Sequence, residues 1–192
     1  MPLPRLALAV LIALAATPAL AHTGHGDTEA FTSGLAHPLF GLDHLLAMVA
    51  VGLWAGLIGG SALWAWPAAF VGVMAVGGAL GMAGVALPGV EPLIVGSVIA
   101  IGLLTALAAR PAVALGAAVC GVFALAHGHA HGTEMPAAAS AAGYALGFVI
   151  STAFLHGVGI AIARVGEARP LAVRAAGGAV ACLGVALVAG VL

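Results

Sequence analysis

Apolar stretches of about 18 or more residues recur along this chain, each long enough to cross a ~30 Å hydrocarbon core as a helix. That feature restricts the fold more than any other. Of 192 residues, 64% are hydrophobic and only 6% are charged, whereas a soluble domain is nearer half apolar and a quarter charged. The chain therefore reads as an all-α, polytopic membrane protein with one domain and almost no mass outside the bilayer.

The opening residues, MPLPRLALAVLIALAATPALA, combine an early Arg5, the apolar stretch from Leu6 to Ala16 and the small-residue site Ala19-Leu20-Ala21. This is the pattern of a cleavable secretory signal peptide over residues 1–21. Cleavage leaves 22–192 as the membrane domain, with His22 as an N-terminus outside the cytoplasm. Hydropathy then predicts six transmembrane helices, at about 38–58, 64–86, 92–109, 111–128, 137–163 and 171–191. Pro67, Pro92, Pro111, Pro136 and Pro170 fall at or near the starts of helices, where a missing N–H is harmless. With the mature N-terminus outside, Arg110, Arg164, Arg169 and Arg174 all fall on the cytoplasmic side, as the positive-inside rule requires. Trp54, Trp64 and Trp66 bracket the first connection, as interfacial aromatics do. Gly52–Gly56, Gly77–Gly81, Gly128–Gly132 and Gly143–Gly147 place small residues four apart, a spacing that lets helix backbones approach closely in lipid. We read these as packing surfaces.

Several function classes are disfavoured at once. The chain has no lysine, so it lacks the Gly-Lys-Ser/Thr end of a P-loop and does not hydrolyse ATP through one. A net charge of −1 gives no nucleic-acid footprint. Cys120 and Cys182 sit in apolar runs without CxxC spacing and read as small buried hydrophobes. There is no HExxH, nor a nucleophile beside a base, so an enzyme is not expected.

Ionisable residues inside spans are costly and mark sites or pathways. Here they are His37, Asp43, His44, His127, His129, His131, Glu134 and His156, with no intramembrane lysine or arginine to pair with them. The missing positive charge suggests a bound cation. In HPLFGLDH, His37 precedes Pro38 and is biased away from helix, so the first helix is expected to begin near Leu39. A break there lets His37 fold back toward Asp43 and His44. In HGHAHGTE, a helix puts His127, His131 and Glu134 on one face and turns His129 the other way. Gly128 and Gly132 weaken that helix, so a partly unwound end is also open. Both clusters fall at outer helix ends. His156, alone in FLHGVG, is a packing residue, an exit-side ligand or a member of the main site. His22 and His25, with the new α-amine, are candidates for capturing metal outside the cell. Imidazole with carboxylate suits first-row divalent metals, and the absence of thiolate from the clusters argues against a tight structural zinc site.

These residues carry a resemblance. HPLFGLDHLLAMVAVGLWA resembles the first-helix signature of the HupE/UreJ family of nickel/cobalt permeases, and AHGHAHGTE resembles the family's second histidine-glycine motif with its glutamate. The leader and six spans are also similar, so the resemblance covers essentially the whole chain. His37, Asp43 and His44 match the first motif; His127, His131 and Glu134 match the second. The aromatic that often precedes the second motif is replaced by Ala126, with Phe123 a turn earlier. The resemblance implies secondary uptake of Ni2+ or Co2+ as transported substrate, with no permanently bound cofactor, across a bacterial inner membrane. His37 and His129 would be entry or supporting groups. The alternative reading is an integral membrane haem or redox protein with histidines from two helices as axial ligands, which a Soret band in purified protein would reveal.

Overall fold

Within a bilayer a helix satisfies its own backbone polar groups, and the apolar runs of this chain take that form. The computed structural model describes residues 26–135, 140–166 and 169–192. The predicted leader, its cleavage site, His22 and His25 lie outside the described residues. Among the described residues the regular elements are seven α-helices: α1 Gly26–Phe40, α2 Leu42–Ile58, α3 Ala62–Met82, α4 Val90–Ala106, α5 Val113–Thr133, α6 Ala141–Val165 and α7 Pro170–Val188.

Each predicted span overlaps one of α2 to α7 in sequence, the first of them also running across the break at Gly41. By length and apolarity, α3, α5, α6 and α7 qualify as membrane-crossing, and the bent pair α1–α2 raises the number to five. The 17-residue α4 is apolar but shorter. Together these helices make a multi-pass membrane protein. Their outward faces agree: Val122, Leu146 and Phe154 are 59%, 56% and 65% exposed along the middle of α5 and α6, where water would penalise them and lipid does not.

The boundaries shift by up to five residues from the sequence-based expectation, and three of the differences have a visible cause. First, the chain before Leu39 is helical. His37 and Pro38 lie inside α1, and the break comes at Gly41, with an 80° bend between α1 and α2. Pro38 stands in the last turn of α1, where it forfeits one bond to the Gly34 carbonyl and the helix ends before a kink can spread, and packing of Gly34 on the Tyr144 backbone overrides the statistical bias against helix before Pro38. Second, α3 stops at Met82, because Gly84 takes a left-handed φ of 70°. Val85 N–H donates to Leu80 O and Gly84 N–H to Gly81 O, the paired bonds of a glycine-terminated helix. Third, α5 continues through the histidine run to Thr133, because its glycines face another backbone.

That backbone belongs to α3. A Cβ added to Gly128 would fall on the Met74 carbonyl oxygen, and one added to Gly132 on that of Gly78. Reciprocally, a Cβ on Gly77 or Gly81 would meet the carbonyl of Leu125 or His129. The glycines thus form the close helix–helix contact expected of small residues in lipid. The same device packs Gly52 of α2 against the His156 backbone of α6, and Gly147 of α6 against Phe31 of α1.

The helix ends sort into two groups. Arg174 Nε donates to Ala106 O at 2.7 Å and Trp54 Nε1 to Ala109 O at 2.9 Å. Trp66 Nε1 donates to Val113 O at 2.9 Å, and the Trp54 and Trp66 rings lie 4.1 Å apart. The start of α3 and α7, the ends of α2, α4 and α6, and the arginines therefore share one end of the bundle. The α1–α2 corner, the C-terminus of α5 and the start of α6 meet at the other.

Candidate metal-binding site

The histidines gather at the end opposite the arginines. The corner at Gly41 turns α1 back so that His37 reaches the α2 start, and its ring lies 6.3 Å from that of His44. On a straight helix the two would stand about 10 Å apart along the axis. From α5, His131 places its ring 4.5 Å from His44 and 4.8 Å from His37, and His127 lies 4.7 Å from His44. Four imidazoles from three helices thus pack edge to face. Phe148 stacks on His131 at 5.0 Å. Phe70 touches His127 at 5.5 Å and His156 at 5.1 Å.

Hydrogen bonding orients these rings. His44 Nδ1 donates to Asp43 Oδ1 at 2.8 Å, and the same oxygen accepts the His44 backbone N–H at 2.7 Å. This leaves His44 Nε2 as a bare, buried lone pair without a partner. Ser97 Oγ gives its single proton to Ile94 O at 2.6 Å, so its 2.9 Å contact with His127 Nε2 has the imidazole donating. His127 Nδ1 is then the free lone pair, again buried and unpartnered. Both ring nitrogens of His131 are buried and unpartnered. His37 Nε2 donates to Glu134 Oε2 at 3.0 Å, tying α1 to the end of α5.

A carboxylate on one imidazole nitrogen with the other left bare is the arrangement that orients histidine ligands toward a metal. The spacing agrees. With a metal–nitrogen distance near 2.1 Å, two imidazoles bound to one ion at 90–110° have ring centres about 4.5–5.2 Å apart. The three closest pairs lie at 4.5, 4.7 and 4.8 Å. Among the described residues no three His, Cys, Asp or Glu side chains already point their donors at one ion-sized position. The rings are gathered, and loading an ion requires them to turn about their side-chain bonds.

Above the rings opens a cavity of about 510 Å³, lined in part by His37, Asp43, His44, Glu91 and Glu134. Three carboxylates at one mouth focus a negative potential that raises the local concentration of cations.

Not every predicted residue joins the cluster. His129 points away, as the helical reading expected, and its Nε2 donates to Val85 O at 2.6 Å, pinning the turn after α3. His156 lies deeper, behind Phe70. Asp43 and Glu134 each commit one oxygen to a histidine, so their first role is orientation. Sequence reasoning missed Ser97, Glu91 and Phe70. Ser97 was findable as a hydroxyl in the apolar run of α4, but a search for ionisable groups passes over it. Glu91 reads as a loop acid until the fold brings α4 to the mouth.

Fold and site together define a multi-pass helical membrane protein with a buried imidazole cluster beneath an acid-lined mouth. Residues 9–187 match the HupE / UreJ protein family, and the chain belongs to it. Protein HupE of Rhizobium leguminosarum bv. viciae is 48% identical over 182 residues, spanning 93% of this chain and 95% of that protein. No solved structure matches the chain.

Proposed function

We propose that this protein imports a divalent transition metal, nickel or cobalt, across the bacterial inner membrane without hydrolysing ATP. The observation that carries the reading is the packing of His37, His44, His127 and His131 within 4.5–4.8 Å of a neighbouring ring, with bare nitrogens on His44, His127 and His131. An ion entering the mouth meets Glu91, Glu134 and Asp43 first. It exchanges water for the imidazole nitrogens of His44, His131 and His127, while Asp43 and Glu134 hold the His44 and His37 rings and can offer their second oxygens. Because the donors are neutral imidazoles with few acids, the ion is held weakly enough to leave, as conduction demands.

In this reading the histidine end faces the periplasm and the arginine end the cytoplasm, as the positive-inside rule asks. The α4 helix rises about 25 Å and completes six spans after a cleaved leader. The Glu91 and Glu134 mouth then opens to the metal source.

The test is uptake of radiolabelled nickel in cells lacking other importers, with cobalt, zinc and iron as competitors. Saturable uptake displaced by cobalt is expected; uptake equal to that of empty-vector cells contradicts the reading. Deleting His22 to His25 is expected to lower uptake at limiting nickel and leave it unchanged at saturating nickel, as loss of an external capture site would. An equal loss at both concentrations rules out a capture role.

A further inference from the structure

A second set of donors lies below His44, with Met48 one turn further along α2 and Met74 level with Gly128, the neighbour of His127. Thr152 Oγ1 of α6 stands 3.3 Å from Met48 Sδ of α2 and 3.7 Å from Met74 Sδ of α3. All three residues are fully buried. One turn further along α6, His156 is 1% exposed and neither ring nitrogen has a partner. Met74 and Phe70 are likewise one turn apart on α3. With Phe70 against His156 at 5.1 Å, α3 and α6 pass antiparallel, Met74 opposite Thr152 and Phe70 opposite His156.

Helical side chains lean toward their own N-terminus. The α3 helix starts at the arginine end, so Met74 leans inward; α6 starts at the histidine end, so His156 leans outward. Met74 and His156 therefore lean toward each other, and Thr152 holds Met48 Sδ beside Met74 Sδ, one turn along α6 from the imidazole. A purely packing role does not explain the histidine, since a buried imidazole without partners is costly where leucine or phenylalanine is not.

We infer that Met48, Met74 and His156 form an inner station for a dehydrated, borderline-to-soft transition-metal cation, reached from the mouth cluster. This rests on the metal-import reading above. Thioether and imidazole are soft to borderline ligands, whereas Mg2+ and Mn2+ favour carboxylate, carbonyl and water. The station offers no carboxylate, so a hard ion collected at the acidic mouth gains nothing by moving inward. Discrimination between hard and borderline ions is made here, after capture. Neutral donors also let the ion leave.

The experiment uses the purified full chain in detergent with the mouth disabled by His44→Ala and His131→Ala. Equilibrium nickel binding is expected to give one ion per chain, with sulfur scattering in its X-ray absorption fine structure. Adding Met48→Leu and Met74→Leu, near-isosteric changes that cores tolerate, is expected to erase the sulfur signal and weaken binding at least tenfold. His156→Ala should weaken it similarly. Size-exclusion profile and helical circular dichroism report that each variant is folded. Excess Mn2+ should not displace the nickel. No nickel bound to the mouth-disabled protein, no sulfur in its coordination sphere, or unchanged binding in the leucine variant overturns the inner station. These results are separable from failure of the import reading, which appears as absent uptake by the unaltered protein whatever the inner donors bind.

Discussion

His44→Ala is expected to reduce nickel accumulation at limiting metal to the level of cells without the protein, with membrane insertion and abundance unchanged. His44 is the ring on which the cluster centres: it touches His127 at 4.7 Å and His131 at 4.5 Å, and its Nε2 is buried with no partner. Loss of even an outer partner of a metal ligand costs roughly 10–100-fold in affinity or activity, so loss of the ligand itself should exceed ~100-fold. Asp43→Asn provides the graded comparison. Asparagine can still accept from His44 through its side-chain oxygen but carries no charge, so a decrease within that 10–100-fold range is expected. Uptake at the unaltered level in His44→Ala would remove this residue from the pathway.

Gly128→Ala is the second large effect, and it acts through the fold. An added Cβ falls on the Met74 carbonyl oxygen and lies 2.9 Å from Gly78 N. Both obstacles are backbone and cannot turn aside. Separating α3 from α5 by the required amount costs about 1–3 kcal/mol or more by overpacking, and it moves His127 and His131 away from His44. The expected result is a lowered thermal midpoint in detergent and loss of uptake. Gly72→Ala on α3 is the control. A Cβ there meets nothing within 4 Å, and alanine is the better helix former, so stability should hold or rise. Equal stability of Gly128→Ala and Gly72→Ala would contradict the close-contact account.

Much of this architecture was legible in the sequence because lipid enforces a simple rule: an apolar run must be helical. The segments that became α2 to α7 follow from that rule, and the Gly77–Gly81 and Gly128–Gly132 spacing marked packing surfaces, which the fold sets against each other. The helix α1 was not legible. Its residues 26–40 include Asp27, Glu29, Thr28 and Thr32 and are not uniformly apolar, and Pro38 signalled an extended start. Packing of Gly34 and Gly147 between α1 and α6 stabilises it instead. The extension of α5 through two glycines was masked by the same preference for tertiary contact over intrinsic propensity. At the site, the residue types were evident but their division of labour was not. Spacing grouped Asp43 with the histidines; only geometry showed that its oxygen is spent on His44, that Glu134 holds His37, that Ser97 orients His127 and that His129 serves the turn at Val85.

On the import reading, imidazoles from separate helices hold one shared ion. Equilibrium nickel binding to purified unaltered protein, His44→Ala, His131→Ala and the double variant tests it most directly, because residues that share a ligand lose it non-additively. Either single substitution is expected to abolish the mouth site, and the double variant to bind no less than the worse single one. Independent losses, each variant giving up its own separate fraction of bound nickel, would contradict a shared ion between α2 and α5.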